Sequence, residues 1–114
     1  MKRITIILLF VALVSTAFAQ HPKKAVKAYE VAEEAFQKRD YQKAHQQLLK
    51  AVVEDPNYAE AWLLEGEVGM ETKDYDLALL GYENALSSDS LLFPPAAITL
   101  ARLYDMRSRY KHEM

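Results

Sequence analysis

The chain has 114 residues, of which 51% are hydrophobic, with 14 basic side chains, 16 acidic side chains and no cysteine. This length allows one small domain, and the lack of cysteine excludes a disulfide framework and a lipid-modified cysteine anchor. The net charge of −2 argues against a general nucleic-acid-binding protein.

The first segment of the chain has the order of a secretory signal peptide. Two basic residues precede an apolar run at 4–14 and the small-x-small sequence AFA at 17–19. The run is shorter than the roughly 20 apolar residues that a membrane-spanning helix needs. We therefore predict a signal peptide at residues 1–19 with cleavage before Gln20, and no membrane contact afterwards; a retained membrane anchor is the alternative.

Charge is distributed unevenly along the rest of the chain. Cleavage would remove two of the 14 basic residues and none of the 16 acidic ones, which leaves a net charge of about −4. Residues 20–53 carry seven basic and four acidic side chains, whereas residues 54–92 carry one basic and ten acidic side chains. From residue 93 onward the chain is mildly basic again, so its middle is an acidic belt.

After a polar lead at 20–24, apolar and small residues recur at helical spacing in five segments. Polar sequences separate them, and Pro56 ends the second segment because proline cannot continue a helical hydrogen-bond ladder. Pro94 and Pro95 suit the first turn of the fifth segment. No β-type alternation occurs, so the predicted fold class is all-α. The predicted helices are Val26–Phe36, Tyr41–Val52, Ala59–Thr72, Tyr75–Ser87 and a fifth that starts near Pro94.

One stretch of the sequence occurs twice. KDYDLALLGYENAL at 73–86 matches RDYQKAHQQLLKAV at 39–52 with an offset of 34 residues. A fixed period of this length indicates stacked supersecondary units, each of which covers the apolar face of its neighbour. The positions in register are Asp40 and Asp74, Tyr41 and Tyr75, Ala44 and Ala78, Leu48 and Tyr82, and Ala51 and Ala85.

Helix pairs that repeat every 34 residues resemble the tetratricopeptide repeat family. The resemblance implies an α-solenoid of stacked antiparallel helix pairs with about two and a half repeats, at 25–58, 59–93 and, incomplete, 94–114. Glu65 stands where the family pattern has leucine, Gly69 where it has tyrosine, and Ser90 where it has proline. The residues at the family's structural positions are Ala32, Ala44, Leu48, Ala51, Pro56, Trp62, Gly66, Ala78, Tyr82 and Ala85.

The third unit is incomplete by the same comparison: it begins near Pro94 and shows Leu100, Ala101 and Tyr104 before Tyr110 opens its second helix. Stability generally needs about three repeats. We therefore expect either a continuation into a longer repeat protein or completion by a partner. The apolar residues expected to be partly exposed are Ile98, Leu100, Leu103 and Tyr104.

No catalytic pattern is evident in the sequence. His21, in the polar lead, His45 and His112 have no second histidine at a metal-ligand spacing. The serines after the fourth helix lie in a polar turn, where hydroxyls usually bond to backbone, and three glycines form no phosphate-binding loop. We expect no catalytic residue, no metal site and no cofactor, and therefore not an enzyme.

In the resembling family, the first helices of successive units line a concave groove. A subgroup of that family uses basic groove residues to hold acidic peptides, whereas the first two units here offer glutamates. The resemblance therefore implies a protein or peptide partner that is apolar and carries some positive charge. The apolar candidates can instead pack between repeats. The groove candidates are Tyr29, Glu33, Phe36, Leu63, Glu67, Met70, Ile98 and Arg102.

Together these features favour a non-catalytic protein-binding scaffold in the periplasm or at the surface of a Gram-negative bacterium. One alternative is a structural unit that self-associates through residues 94–114. Another is an accessory domain of an enzyme whose catalytic part lies outside these residues.

Overall fold

The structure is a computed structural model that describes residues 21–89 and 94–113. The signal peptide predicted at 1–19, its cleavage site before Gln20, and Ser90 lie outside the described residues. Within the described ranges the chain forms five α-helices and no strand, which confirms the all-α class and the helical-repeat architecture. The helices are α1 Lys23–Gln37, α2 Tyr41–Glu54, α3 Ala59–Thr72, α4 Tyr75–Ser88 and α5 Pro94–Glu113.

The second helix of each repeat begins at the same capping residue. The carboxylates of Asp40 and Asp74 accept hydrogen bonds from the backbone N–H groups of Lys43 and Leu77, each at 3.2 Å. An aspartate at this position satisfies one of the free N–H groups in the first helical turn and so defines where the helix begins.

The turn before each of these caps also recurs. Arg39 and Lys73 adopt left-handed backbone conformations with φ of 62° and 59°, and the N–H groups of Asp40 and Asp74 reach back to the carbonyls of Ala35 and Gly69, each at 2.8 Å. The 34-residue period of the sequence is therefore also a period of backbone geometry.

The core consists of two adjoining clusters. The first joins α1, α2 and α3 around small residues and the fully buried Leu48, with Tyr58 from the turn and Leu64 and Val68 from the next repeat. The second joins α4 and α5 around Tyr82. Small residues allow the helix axes to approach closely while the large ones fill the remaining space. The predicted positions Ala32, Ala44, Leu48, Ala51, Gly66, Ala78, Tyr82 and Ala85 are all buried.

Gly69, which departs from the expected pattern, lies at one of two places where α3 and α4 approach closely. A Cβ atom added at Gly69 would lie 2.7 Å from the Cα of Ala78 and 2.9 Å from its Cβ. At Gly81 an added Cβ would lie 2.6 Å from the Cα of Gly66 and 2.7 Å from the carbonyl oxygen of Trp62. The absence of side chains at these two positions is thus what allows the helices to pack.

The turn between the two repeats is held by a hydrogen bond across it. The indole Nε1 of Trp62 donates to the carbonyl oxygen of Pro56 at 2.8 Å. The turn residue that ends α2 is thereby fixed to the first turns of α3, which sets the position of the second repeat against the first.

The fifth helix differs from the prediction in two respects. It runs without interruption from Pro94 to Glu113, so the predicted start of a further helix at Tyr110 is wrong. Leu103, expected to be partly exposed, is fully buried against the second cluster. The side chain of Tyr104 is 48% exposed and its hydroxyl donates to the carboxylate of Glu83. Leu103 therefore does not belong to the uncovered surface of α5, whereas Met106, which is 39% exposed, does.

Among the described residues, no helix combines the length and the apolar character that crossing a bilayer requires.

Candidate functional site: an acidic groove between α1 and α3

An open cavity of about 310 Å³ lies between the first helices of the two repeats. α1 provides one wall and α3 the other, because stacking of the repeats places these two helices side by side. Five of the eight groove candidates line it. The complete lining is Tyr29, Glu33, Phe36, Gln37, Glu60, Leu63, Leu64 and Glu67.

The apolar part of the lining also contributes to the core. The ring of Tyr29 packs against Tyr58 with centroids 5.1 Å apart, and the ring of Phe36 meets Tyr41 edge-on at 5.5 Å. Both rings are only partly buried, as is Leu63. The two interpretations of these residues are therefore compatible: one part of each side chain packs between helices and another part faces the cavity.

The polar part of the lining is acidic. Burial first, and then the nearby carboxylates of Glu33, Glu60 and Glu67, together raise the pKa of Tyr29 to about 12. Burial, and then the neighbouring Glu71, raise the pKa of Glu67. Negative charge is thus concentrated beside an apolar floor, where the lower dielectric strengthens its attraction for a cation.

The groove carboxylates are mostly uncompensated. No ion pair to Glu33 or Glu67 occurs among the described residues, and Glu60 lies 3.7 Å from the Nε2 atom of His21. A second open cavity of about 400 Å³ adjoins the first at Phe36 and contains Arg39, Tyr41 and Glu71. The groove therefore continues beyond Phe36 into a part that contains one basic and one acidic side chain.

The other three candidates lie elsewhere. Met70 packs against the second cluster beside Leu63 and Leu100. Ile98 is 62% exposed on α5 and Arg102 is exposed on the same helix. Ile98 and Arg102 follow Leu63 and Glu67 by 35 residues. Their helix is therefore the next one along the solenoid, and neither residue lines this cavity.

Three lining residues were not among the predicted groove residues: Leu64, which is also a core residue, Glu60 and Gln37. Glu60 precedes Leu63 by three residues and Glu67 by seven, and Gln37 follows Glu33 by four. Residues at these spacings share a helix face. The helical spacing around the predicted groove residues was therefore a signal for Glu60 and Gln37.

Two histidines have roles that sequence spacing did not indicate. His21 stacks on Tyr58, with ring centroids 3.8 Å apart and planes 9° apart, and its Nδ1 contacts the carboxylate of Asp55. The polar lead is therefore attached to the turn between the repeats.

His45 contacts the buried carboxylate of Glu65 across α2 and α3. Glu65 is 2% exposed, and its Oε2 atom has no hydrogen-bond partner among the residues that the structure describes. Burial raises the pKa of Glu65; the contact with His45 opposes this shift, and Asp74 adds to it. Glu65 thus replaces the leucine of the family pattern with a buried polar contact between repeats.

No group of three or more His, Asp or Glu side chains within the described residues is arranged to hold a metal ion. Neither a model of a known protein family nor a curated protein matches the chain. The relation to tetratricopeptide repeat proteins therefore rests on the 34-residue pattern.

Proposed function

We propose that this chain is a non-catalytic protein-binding module of the tetratricopeptide repeat type, and that it binds a peptide or helix in the groove between α1 and α3. The observation that supports this most directly is a cavity that combines a half-buried apolar floor with three carboxylates. A segment with an apolar side chain next to a lysine or arginine complements both features.

The groove chemistry also defines how such a segment would bind. Its apolar side chain would lie against Leu63 and the ring of Phe36, and its cationic group would face Glu33 and Glu67. A cation over the face of Tyr29 would gain a further attraction from the aromatic ring. An acidic peptide would meet only like charge here.

We also propose that this role is carried out in the periplasm or at the surface of a Gram-negative bacterium, because residues 1–19 have the pattern of a signal peptide. The chain would act there as a scaffold in an envelope complex. Sequencing the mature N-terminus of the exported protein tests the location; a mature chain that retains residues 1–19 would contradict it.

The binding proposal is tested by selecting from a displayed random peptide library with the full chain. We expect enriched peptides to place lysine or arginine beside an apolar residue, and titration calorimetry to show that Glu33→Lys or Glu67→Lys weakens their binding about tenfold, or ~1.4 kcal/mol. Glu30→Lys, an exposed change on α1 outside the cavity lining, is the matched control. Enrichment of acidic peptides, or equal effects of all three changes, would contradict the proposal.

Self-association through α5 is the second candidate, and the exposed apolar side chains of that helix favour it: Ile98 is 62% exposed, Tyr104 48% and Met106 39%. Sedimentation of the full chain and of a Met106→Glu variant separates the two candidates. A dimer that this change dissolves, without effect on peptide binding, would support the second candidate.

A further inference from the structure

The outer surface of the first repeat carries a second apolar surface, separate from the groove. Two neighbouring depressions of about 390 and 240 Å³ share Lys24 and Ala28 in their lining. We call this surface the lysine face. It consists of Lys24, Lys27, Ala28 and Val31 from α1 and Gln47, Leu49, Lys50, Val53 and Glu54 from α2.

The repeat itself shows what kind of element fits this surface. On α3, Trp62 and Glu65 are two of the residues that contact the preceding repeat, through Pro56 and His45. The residues 34 positions earlier are Ala28 and Val31, and both lie in the depressions. The lysine face is therefore the surface against which the second helix of a preceding repeat would pack, and its shape suits a helix.

The composition of the lysine face defines the charge of that helix. Leu49 is 45% exposed and Val53 is 77% exposed, and the two side chains line the same depression. Lys24, Lys27 and Lys50 surround them and form no ion pair within the described part of the chain. Glu54 is the single carboxylate in the lining.

The opposite end of the solenoid does not complement this charge. α5 exposes Arg102 and Lys111 next to its apolar side chains, and its exposed Asp105 is paired with Arg109, so a second copy stacked end to end would bring Arg102 and Lys111 against the lysines of this face. Like charges placed opposite each other oppose association. An occupant with acidic flanks has no such penalty.

We propose that the lysine face docks an amphipathic helix of a partner protein, with an apolar stripe on Leu49 and Val53 and flanking glutamates or aspartates opposite Lys24, Lys27 and Lys50. This partner differs in charge from the one proposed for the groove, so the chain has two surfaces of opposite specificity. Helices commonly bind partners in this way, by laying an apolar face into a groove.

The test uses the full chain and a pair of fluorescent synthetic peptides with leucines at helical spacing, one flanked by glutamates and the other by lysines. We expect the acidic peptide to bind, as measured by fluorescence anisotropy, and to be released as salt is raised. The double variant Lys24→Glu/Lys50→Glu should weaken its binding about tenfold. The double variant Lys43→Glu/Lys73→Glu, with the same change of charge outside the lysine face, should not.

Further measurements separate the remaining explanations. Val53→Asp should also weaken binding of the acidic peptide, with an unchanged circular dichroism spectrum, because Val53 is exposed and its replacement leaves the core intact. Equal binding of the two peptides, or equal effects of the two double variants, would overturn the proposal. Binding to phosphatidylglycerol vesicles that only Lys24→Glu/Lys50→Glu abolishes, without peptide binding, would assign the surface to lipid instead and overturn it as well.

Discussion

Replacement of Gly69 by alanine tests whether the close contact of α3 and α4 determines stability. In an exposed helix the change would stabilise by about 1 kcal/mol through helix propensity. Here the new Cβ would lie 2.7 Å from the Cα of Ala78, well inside the ~3.5 to 4.0 Å at which carbon atoms attract. Its neighbours are backbone atoms of another helix, which can yield only if the helices separate.

Overpacking of this kind costs about 1 to 3 kcal/mol, and a contact with backbone belongs at the upper end of that range. After subtraction of the propensity gain, we expect Gly69→Ala to lower the free energy of unfolding by about 2 kcal/mol. Urea denaturation of the full chain, followed by circular dichroism, measures this difference.

Gly66→Ala is the matched control on the same helix. Its Cβ would lie 3.0 Å from the Cδ2 atom of Tyr82, and a side-chain ring can shift where backbone cannot. We expect this change to stay within about 1 kcal/mol of the parent because propensity offsets the contact. If Gly69→Ala proves as stable as Gly66→Ala, the inferred close approach of α3 and α4 is refuted.

Two further predictions concern the buried Glu65 and the buried Leu103. Glu65→Leu should stabilise the chain by about 1 to 3 kcal/mol, because it removes a buried carboxylate oxygen that has no hydrogen-bond partner among the described residues. His45→Ala should destabilise the chain by about 3 kcal/mol, because the buried carboxylate of Glu65 would lose its contact with the imidazole. The gain in stability from Glu65→Leu should shrink on acidification. A carboxyl whose pKa is raised in the folded state destabilises the fold most above that raised pKa and least below its usual value of 4.5. Urea denaturation at several pH values measures this, and a gain that is independent of pH would contradict the burial of a charged Glu65. Leu103→Ala should lower the free energy of unfolding by about 2 to 5 kcal/mol and reduce the hydrogen-exchange protection of α5. The control is Ile98→Ala, at a position 62% exposed, which should change stability by less than about 0.5 kcal/mol. Equal effects of the two changes would show that α5 is not anchored through Leu103.

The sequence by itself determined the first four helices, their approximate limits and the repeat. These features depend on short-range interactions: the periodicity of apolar residues defines one face of each helix, Asp40 and Asp74 cap the helices that follow them, and proline ends α2. Five of the eight groove candidates also line one cavity, because a regular repeat places equivalent helix faces side by side.

Only the tertiary structure decided which atoms meet between helices. Glu65 and Gly69 departed from the expected pattern, but their roles depend on His45 and Ala78, which lie 20 and 9 residues away in the chain. Similarly, Leu103 is buried because α5 continues as one helix along α4, a matter of packing and not of local propensity. Periodicity specifies the face that a helix buries, but the angle and distance at which two helices cross depend on the side-chain volumes of both, and no single stretch of sequence contains that information.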